Sequence, residues 1–151
     1  MNGATQTLTR RLDGSATLED ARRFATETSR VLGEWGLPED RLASWEMAVA
    51  EMATNVARHG YPGEPGPMAL LLSWGAEGLQ IAVIDHGIAY DPADVPPPPE
   101  PDPEDPSTWP EGGMGIMLVR AAGDELTYER DGDRNRLTLF TRIPRPQNPV
   151  L

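Results

Sequence analysis

Two apolar runs, Met68 to Trp74 and Leu79 to Asp85, stand four residues apart, and those four are Gly75-Ala76-Glu77-Gly78. A spacer that short and glycine-rich turns the chain back on itself, so the pair reads as an antiparallel hairpin. Near the end of the chain, Leu126 to Arg130 and Arg136 to Thr141 flank Asp131-Gly132-Asp133-Arg134 and read as a second hairpin. Two helical patterns precede both. Thr17-Leu18-Glu19-Asp20 has the form of a capping box, after which Leu18, Ala21, Phe24, Ala25, Val31, Leu32 and Trp35 recur at helical spacing, with Gly33 and Gly36 ending the run. Leu37-Pro38 restarts the chain with proline at the first helical position. Leu42, Trp45, Val49, Met52 and Val56 then make the apolar stripe of a second helix, which His59-Gly60-Tyr61-Pro62-Gly63 terminates. Residues 5–12 alternate weakly, as an edge strand would, and Met114 to Ala122 reads as a short helix. Helices early and antiparallel strands late favour an α+β two-layer sandwich, with a mixed, mostly antiparallel sheet, over a parallel doubly wound one.

The stretch from Asp91 to Glu111 interrupts this pattern, because nine of its 21 residues are proline, Pro96-Pro97-Pro98-Pro99 among them. Proline donates no backbone hydrogen bond, so the stretch joins neither sheet nor helix. Its place between two glycine signatures suggests a lid over whatever they bind, with a tolerated surface loop as the alternative. The chain, 1–151, is expected to be a single domain carrying this insert. The net charge of −11 is uneven: the insert holds seven acids and no base, which leaves −4 for the rest. Such acidity repels nucleic-acid phosphates, so direct nucleic-acid binding is not expected. With no cysteine there are no disulfides or thiolate metal sites. No apolar run reaches the roughly 18–20 residues that span a bilayer, and Met1-Asn2-Gly3-Ala4-Thr5-Gln6 lacks the form of a secretory signal, so a cytoplasmic protein without membrane contact is expected.

Three short signatures carry chemistry. Glu51 and Asn55 are four apart in the second helical pattern and so share one face, with Ser44 and Arg58 extending the polar stripe. A carboxylate and an amide oxygen so placed can serve one polar site, the amide on Mg²⁺ and the carboxylate on an attacking hydroxyl; a solvated helix face is the plain alternative. Asp85 ends the run Leu79-Gln80-Ile81-Ala82-Val83-Ile84, where an unpaired charge is costly, so it needs a donor. The exocyclic amine of adenine is one, and Gly87 would let the backbone approach a flat base; a turn capped by Asp85 is the alternative. Gly112-Gly113-Met114-Gly115 opens the last helical stretch and offers backbone N–H groups to an anion, as a phosphate cradle without a Walker lysine. His59 and His86 lie beside glycines at element ends and suit turns better than catalysis, and Trp109 suits packing of the insert.

In this order Glu51-x-x-x-Asn55, Asp85-x-Gly87 and Gly113-x-Gly115 resemble the N, G1 and G2 boxes of the gyrase, chaperone and histidine-kinase ATP-binding domains, the GHKL or Bergerat fold. The finer text is similar to the anti-sigma-factor serine kinases of bacterial partner switching. It comprises Leu37-Pro38-Glu39-Asp40, Ala50-Glu51-Met52-Ala53-Thr54-Asn55 with His59-Gly60-Tyr61, Asp85-His86-Gly87-Ile88-Ala89-Tyr90-Asp91-Pro92, Gly113-Met114-Gly115-Ile116 and Asn135-Arg136-Leu137-Thr138-Leu139, and it covers residues 15–143. The resemblance implies an ATP- and Mg²⁺-dependent kinase that phosphorylates a serine of a STAS-type anti-sigma factor antagonist, sequesters a sigma factor and forms a homodimer. It implies Glu51 as the catalytic carboxylate, Asn55 as the Mg²⁺ ligand, Asp85 as the adenine acceptor and Gly87 as the base-facing glycine. Gly113, Met114 and Gly115 would lie against the phosphates, Thr138 would help hold adenine from a central strand, and Arg58 and Arg120 would supply phosphate charge. One departure stands in the G1 box, where Ala89 replaces a second glycine. A non-catalytic ATP-binding adaptor of a partner-switching pathway is the alternative, and it would not need Glu51.

Overall fold

The computed structural model describes residues 6–89, 91, 103–105, 119 and 122–146. Five strands and two long helices follow in the order β1 (Leu8–Ser15), α1 (Leu18–Glu34), α2 (Glu39–His59), β2 (Pro67–Trp74), β3 (Leu79–Asp85), β4 (Glu125–Asp131) and β5 (Arg134–Thr141). The strands form one sheet in the order β1-β2-β3-β5-β4, and every pairing is antiparallel, so the mixed sheet expected is antiparallel throughout the described residues. The α+β sandwich holds.

Strand alternation decides which side chains meet the helices. Met68, Leu70, Leu72 and Trp74 of β2, Leu79, Ile81 and Val83 of β3 and Leu139 of β5 are all buried on one face of the sheet. Phe24, Val31 and Leu32 of α1 and Trp45, Val49 and Met52 of α2 close over them to make one continuous core. Removing so many large apolar side chains from water, at roughly 25 cal/mol for each Å² buried, is what holds the two layers together.

The helix ends follow their local chemistry. Thr17 caps α1 by accepting a hydrogen bond from the Asp20 amide at 3.1 Å. The carboxylate of Asp20 in turn accepts from the Ser15 amide at 2.8 Å and from Arg23 at 3.0 Å, which holds its carboxyl below the usual range. That contact ties the end of β1 to the start of α1. Gly36, with φ of +99°, turns the chain out of α1. Gly33 does not end the helix as expected; it lies in the last turn, where a Cβ would stand in ordinary contact, 3.5 Å, with Leu42 of α2. Pro38 is the residue before α2 rather than its first helical position, and the acidic Glu39 and Asp40 complement the helix dipole.

The first strand runs 8–15, three residues later than the alternation suggested, because pairing with β2 sets its register from Leu8 opposite Trp74 to Ser15 opposite Pro67. In the last hairpin the strands reach Asp131 and Arg134, leaving the two-residue loop Gly132-Asp133, with Gly132 at φ +61°. Of the expected helix at 114–122, Val119 and Ala122 are described; both are helical and pack on the core. Tyr90, Trp109, Arg120, the glycine run 112–115 and nearly all of the proline-rich insert lie outside the described residues.

Candidate functional site

The end of β3 and the end of α2 are fastened together. Gly60, just past α2, gives its carbonyl to the Ile88 amide at 2.8 Å. Gly87 lies flat against the same peptide, and a Cβ there would overlap the Gly60 carbonyl, coming within 2.6 Å of its carbon. Tyr61 completes the joint, since its hydroxyl donates to the Pro67 carbonyl at 2.6 Å and accepts from the His86 amide at 2.8 Å. Burial pushes the Tyr61 phenol above its ordinary range, with Asp85 and Asp133 nearby adding to the effect, so it remains a donor. Gly87 is thus glycine because the helix end leaves no room for a side chain. That reason differs from the one expected, which was approach to a base.

Gly87→Ala tests this joint. The methyl can be accommodated only by separating β3 from α2, so a loss of about 1–3 kcal/mol in denaturant unfolding is expected, the range for overpacking a closed contact.

Beside this joint lies a narrow slot lined by Met52, Asn55 and Val56 of α2, Gly60, Asp85, Ile88, Tyr128 of β4, and Asn135 and Leu137 of β5. Met52, Val56, Ile88 and Leu137 make its walls apolar, and Asp85 and Asn135 put polar groups at one end. Its free space is about 30 Å³, room for one or two waters, and Ile88, 51% exposed, stands at its edge on the loop after β3.

Asp85 is 7% exposed and its two oxygens differ. Oδ1 accepts from the Gly87 amide at 2.8 Å and from Asn135 Nδ2 at 2.9 Å. Oδ2 accepts no hydrogen bond among the described residues. The slot therefore has a carboxylate oxygen available to a donor, in an apolar surround where such a bond is strong.

Asn55 and Asp85, placed by α2 and β3, both line this slot. Glu51 is half-buried one helical turn before Asn55 and does not line the slot; neither its carboxylate nor the Asn55 amide bonds to another described side chain. Arg58 is exposed further along the helix. Gly113, Met114 and Gly115 lie outside the described residues.

Thr138 is a correction. Leu137 and Leu139 pack on the helix side of β5, so Thr138 between them points to the opposite face, pairs with Ala82 and Thr127, and cannot reach the slot. Asn135, in phase with Leu137 and Leu139, is the β5 residue that meets Asp85. A polar residue in phase with two core leucines must be hydrogen-bonded, and that was the available sequence signal.

Among the described residues no helix is long and apolar enough to cross a membrane, and no three His, Asp or Glu side chains cluster as a metal site. The model of the histidine kinase-like ATPase domain matches residues 14–141. The serine-protein kinase RsbW of Bacillus cereus (strain Q1) is 26% identical over 110 residues, which cover 67% of this chain and 64% of that protein. RsbW of Bacillus thuringiensis subsp. konkukian is similar to the same extent, so the chain spans somewhat under two thirds of the length of these relatives. A crystal structure of the RsbU and RsbW domains of a Mycobacterium tuberculosis protein matches in fold, with a TM-score of 0.62 and 19% identity over 95% of this chain and 35% of that one. With the family model running from the end of the first strand to the end of the last, this chain belongs to the histidine kinase-like ATPase domain family.

Proposed function

We propose that this chain binds ATP with Mg²⁺ and transfers its terminal phosphoryl group to a serine of a small anti-sigma factor antagonist, while a sigma factor is held on the same domain. The observation that supports this most is Asp85 in the slot, with one oxygen engaged by the protein and the other available, on a site it shares with Asn55 of the helix bearing Glu51. The 6-amino group of adenine is the donor this carboxylate suits, and the apolar walls suit the ring. The similarity to RsbW kinases points the same way.

In this reading Asn55 offers its amide oxygen to Mg²⁺. Such a single protein ligand is in keeping with Mg²⁺, which commonly keeps waters and phosphate oxygens as most of its ligands. The ion supplies charge neutralisation when bound. Glu51 orients the attacking serine hydroxyl and takes its proton. Gly113, Met114 and Gly115 present backbone amides to the phosphates, and Arg58 adds positive charge. The chain acts as one domain whose proline-rich insert at 91–111 closes over the nucleotide, it works in the cytoplasm, and it pairs as a homodimer.

The test is calorimetric titration with Mg·ATP, followed by labelled phosphate transfer to a small STAS-type protein recovered with the chain from its host. Heat on titration and a labelled serine are expected. Titration without heat overturns the proposal, and heat with no transfer leaves an ATP-binding adaptor.

A further inference from the structure

Arg130, Asn135 and Asp85 lie side by side on one row across three strands, β4, β5 and β3. Asn135, 4% exposed, is the middle of the row and uses both ends of its amide. Its oxygen accepts from the Tyr128 hydroxyl at 2.5 Å and from Arg130 Nη1 at 2.8 Å. Its nitrogen donates to Asp85 Oδ1 at 2.9 Å, to the Ile88 carbonyl at 2.9 Å and to the Gly87 carbonyl at 3.2 Å. Arg130 closes the loop by donating to the same Gly87 carbonyl at 3.1 Å.

An amide with a cation on one side and a carboxylate on the other has only one workable orientation, because the flipped group would set oxygen against oxygen and N–H against guanidinium. The nitrogen must therefore face Asp85. Together with the Gly87 amide it engages Oδ1 and fixes the plane of the carboxylate, so that Oδ2 is the atom left over for a ligand. A ligand is discriminated strongly when it satisfies a group that its competitor leaves opposed.

We propose that Asn135, held from behind by Tyr128 and Arg130, is the positioning residue for base selection: it aims Asp85 so that a purine with a 6-amino group is accepted and one with a 6-oxo group is refused. This rests on the reading of the slot as a nucleotide site. A 6-oxo purine would bring a carbonyl oxygen to Oδ2, lone pair against lone pair. Discrimination then comes from the last hairpin as well as from Asp85: a carboxylate free to rotate stays an acceptor, but it holds the amine less well and can turn away from a carbonyl, so part of the preference is lost.

The experiment compares ATP with inosine triphosphate, which carries a 6-oxo group beside N1–H where ATP carries a 6-amino group beside an unprotonated N1, by calorimetric titration of the wild-type chain, Asn135→Leu and Arg130→Met. Wild type is expected to favour ATP by about 10- to 150-fold, the worth of one charge-assisted hydrogen bond. Asn135→Leu should lower that ratio by at least about fivefold, mainly by weakening ATP, and Arg130→Met by at least about twofold. Arg130 is exposed on an edge strand, so its variant folds and decides the matter if Asn135→Leu does not. Loss of stability alone would weaken both nucleotides equally and leave the ratio alone. A wild-type chain that binds ATP, with the ratio preserved in the variants that fold, overturns this inference and spares the nucleotide reading. A wild-type chain that binds no nucleotide overturns both.

Discussion

Glu51→Ala is expected to keep nucleotide binding within about threefold of wild type and to lower phosphoryl transfer by about 10²- to 10⁴-fold, the usual contribution of a positioned proton acceptor. Both halves follow from where the residue sits. Glu51 does not line the slot, so the base and its contacts with Asp85 are untouched. No described side chain hydrogen-bonds to it, and alanine is the best helix former, so α2 keeps its geometry. What is removed is a carboxylate one turn from Asn55, on the side of the helix where the proposed Mg²⁺ ligand stands. Calorimetry gives the first half, and single-turnover transfer of labelled phosphate to the partner serine gives the second. Transfer at more than about a tenth of the wild-type rate would remove Glu51 from the chemistry, since such a loss is only about 1.4 kcal/mol of transition-state stabilisation.

Much of the framework was legible in the chain because it is set by neighbours in sequence. Thr17 and Asp20 are three residues apart, and the cap they form is local. The run Leu79–Asp85 is a strand over its whole length, since a glycine pair bounds one side and the Asp85-His86-Gly87 turn the other. Asn55 and Asp85, singled out from helical spacing and from the end of an apolar run, both line the slot, although their roles there stay a proposal.

The misreadings arise where a distant partner decides. Gly33 looked like a helix terminator, yet its neighbour is Leu42 across the helix pair. Gly87 looked small for the sake of a ligand, and Gly60, some 27 positions earlier in the chain, supplies a packing reason that the sequence did not show. Thr138 was named in place of Asn135 because the order of residues in β5 does not say which set of alternate positions faces the helices; Leu137 and Leu139 settle that once their burial is known. Arg130 and Tyr128 gave no signal at all, being two polar residues on an exposed-looking edge strand whose hydrogen bonds to Asn135 exist only once β4 and β5 pair.

The sharpest consequence concerns Asp85→Asn. Two donors, the Gly87 amide and Asn135 Nδ2, converge on one atom of residue 85 from inside the protein. An asparagine there must give them its oxygen, because turning its NH₂ toward two N–H groups would leave three donors and no acceptor. The NH₂ is then forced to the place of Oδ2, where it offers donors to a slot that held an acceptor. Adenine would meet it with a second amine, so ATP affinity should fall by about 10- to 150-fold, or 1.5–3 kcal/mol. Inosine triphosphate, with a carbonyl oxygen at that position, should lose nothing and bind the variant as well as or better than ATP does. Because the change keeps the shape of the side chain and both internal hydrogen bonds, the fold should survive, as a thermal melt would verify. A variant that binds ATP as wild type does would take Asp85 out of base recognition, and a variant that weakens both nucleotides equally would show that residue 85 holds the turn without selecting the base.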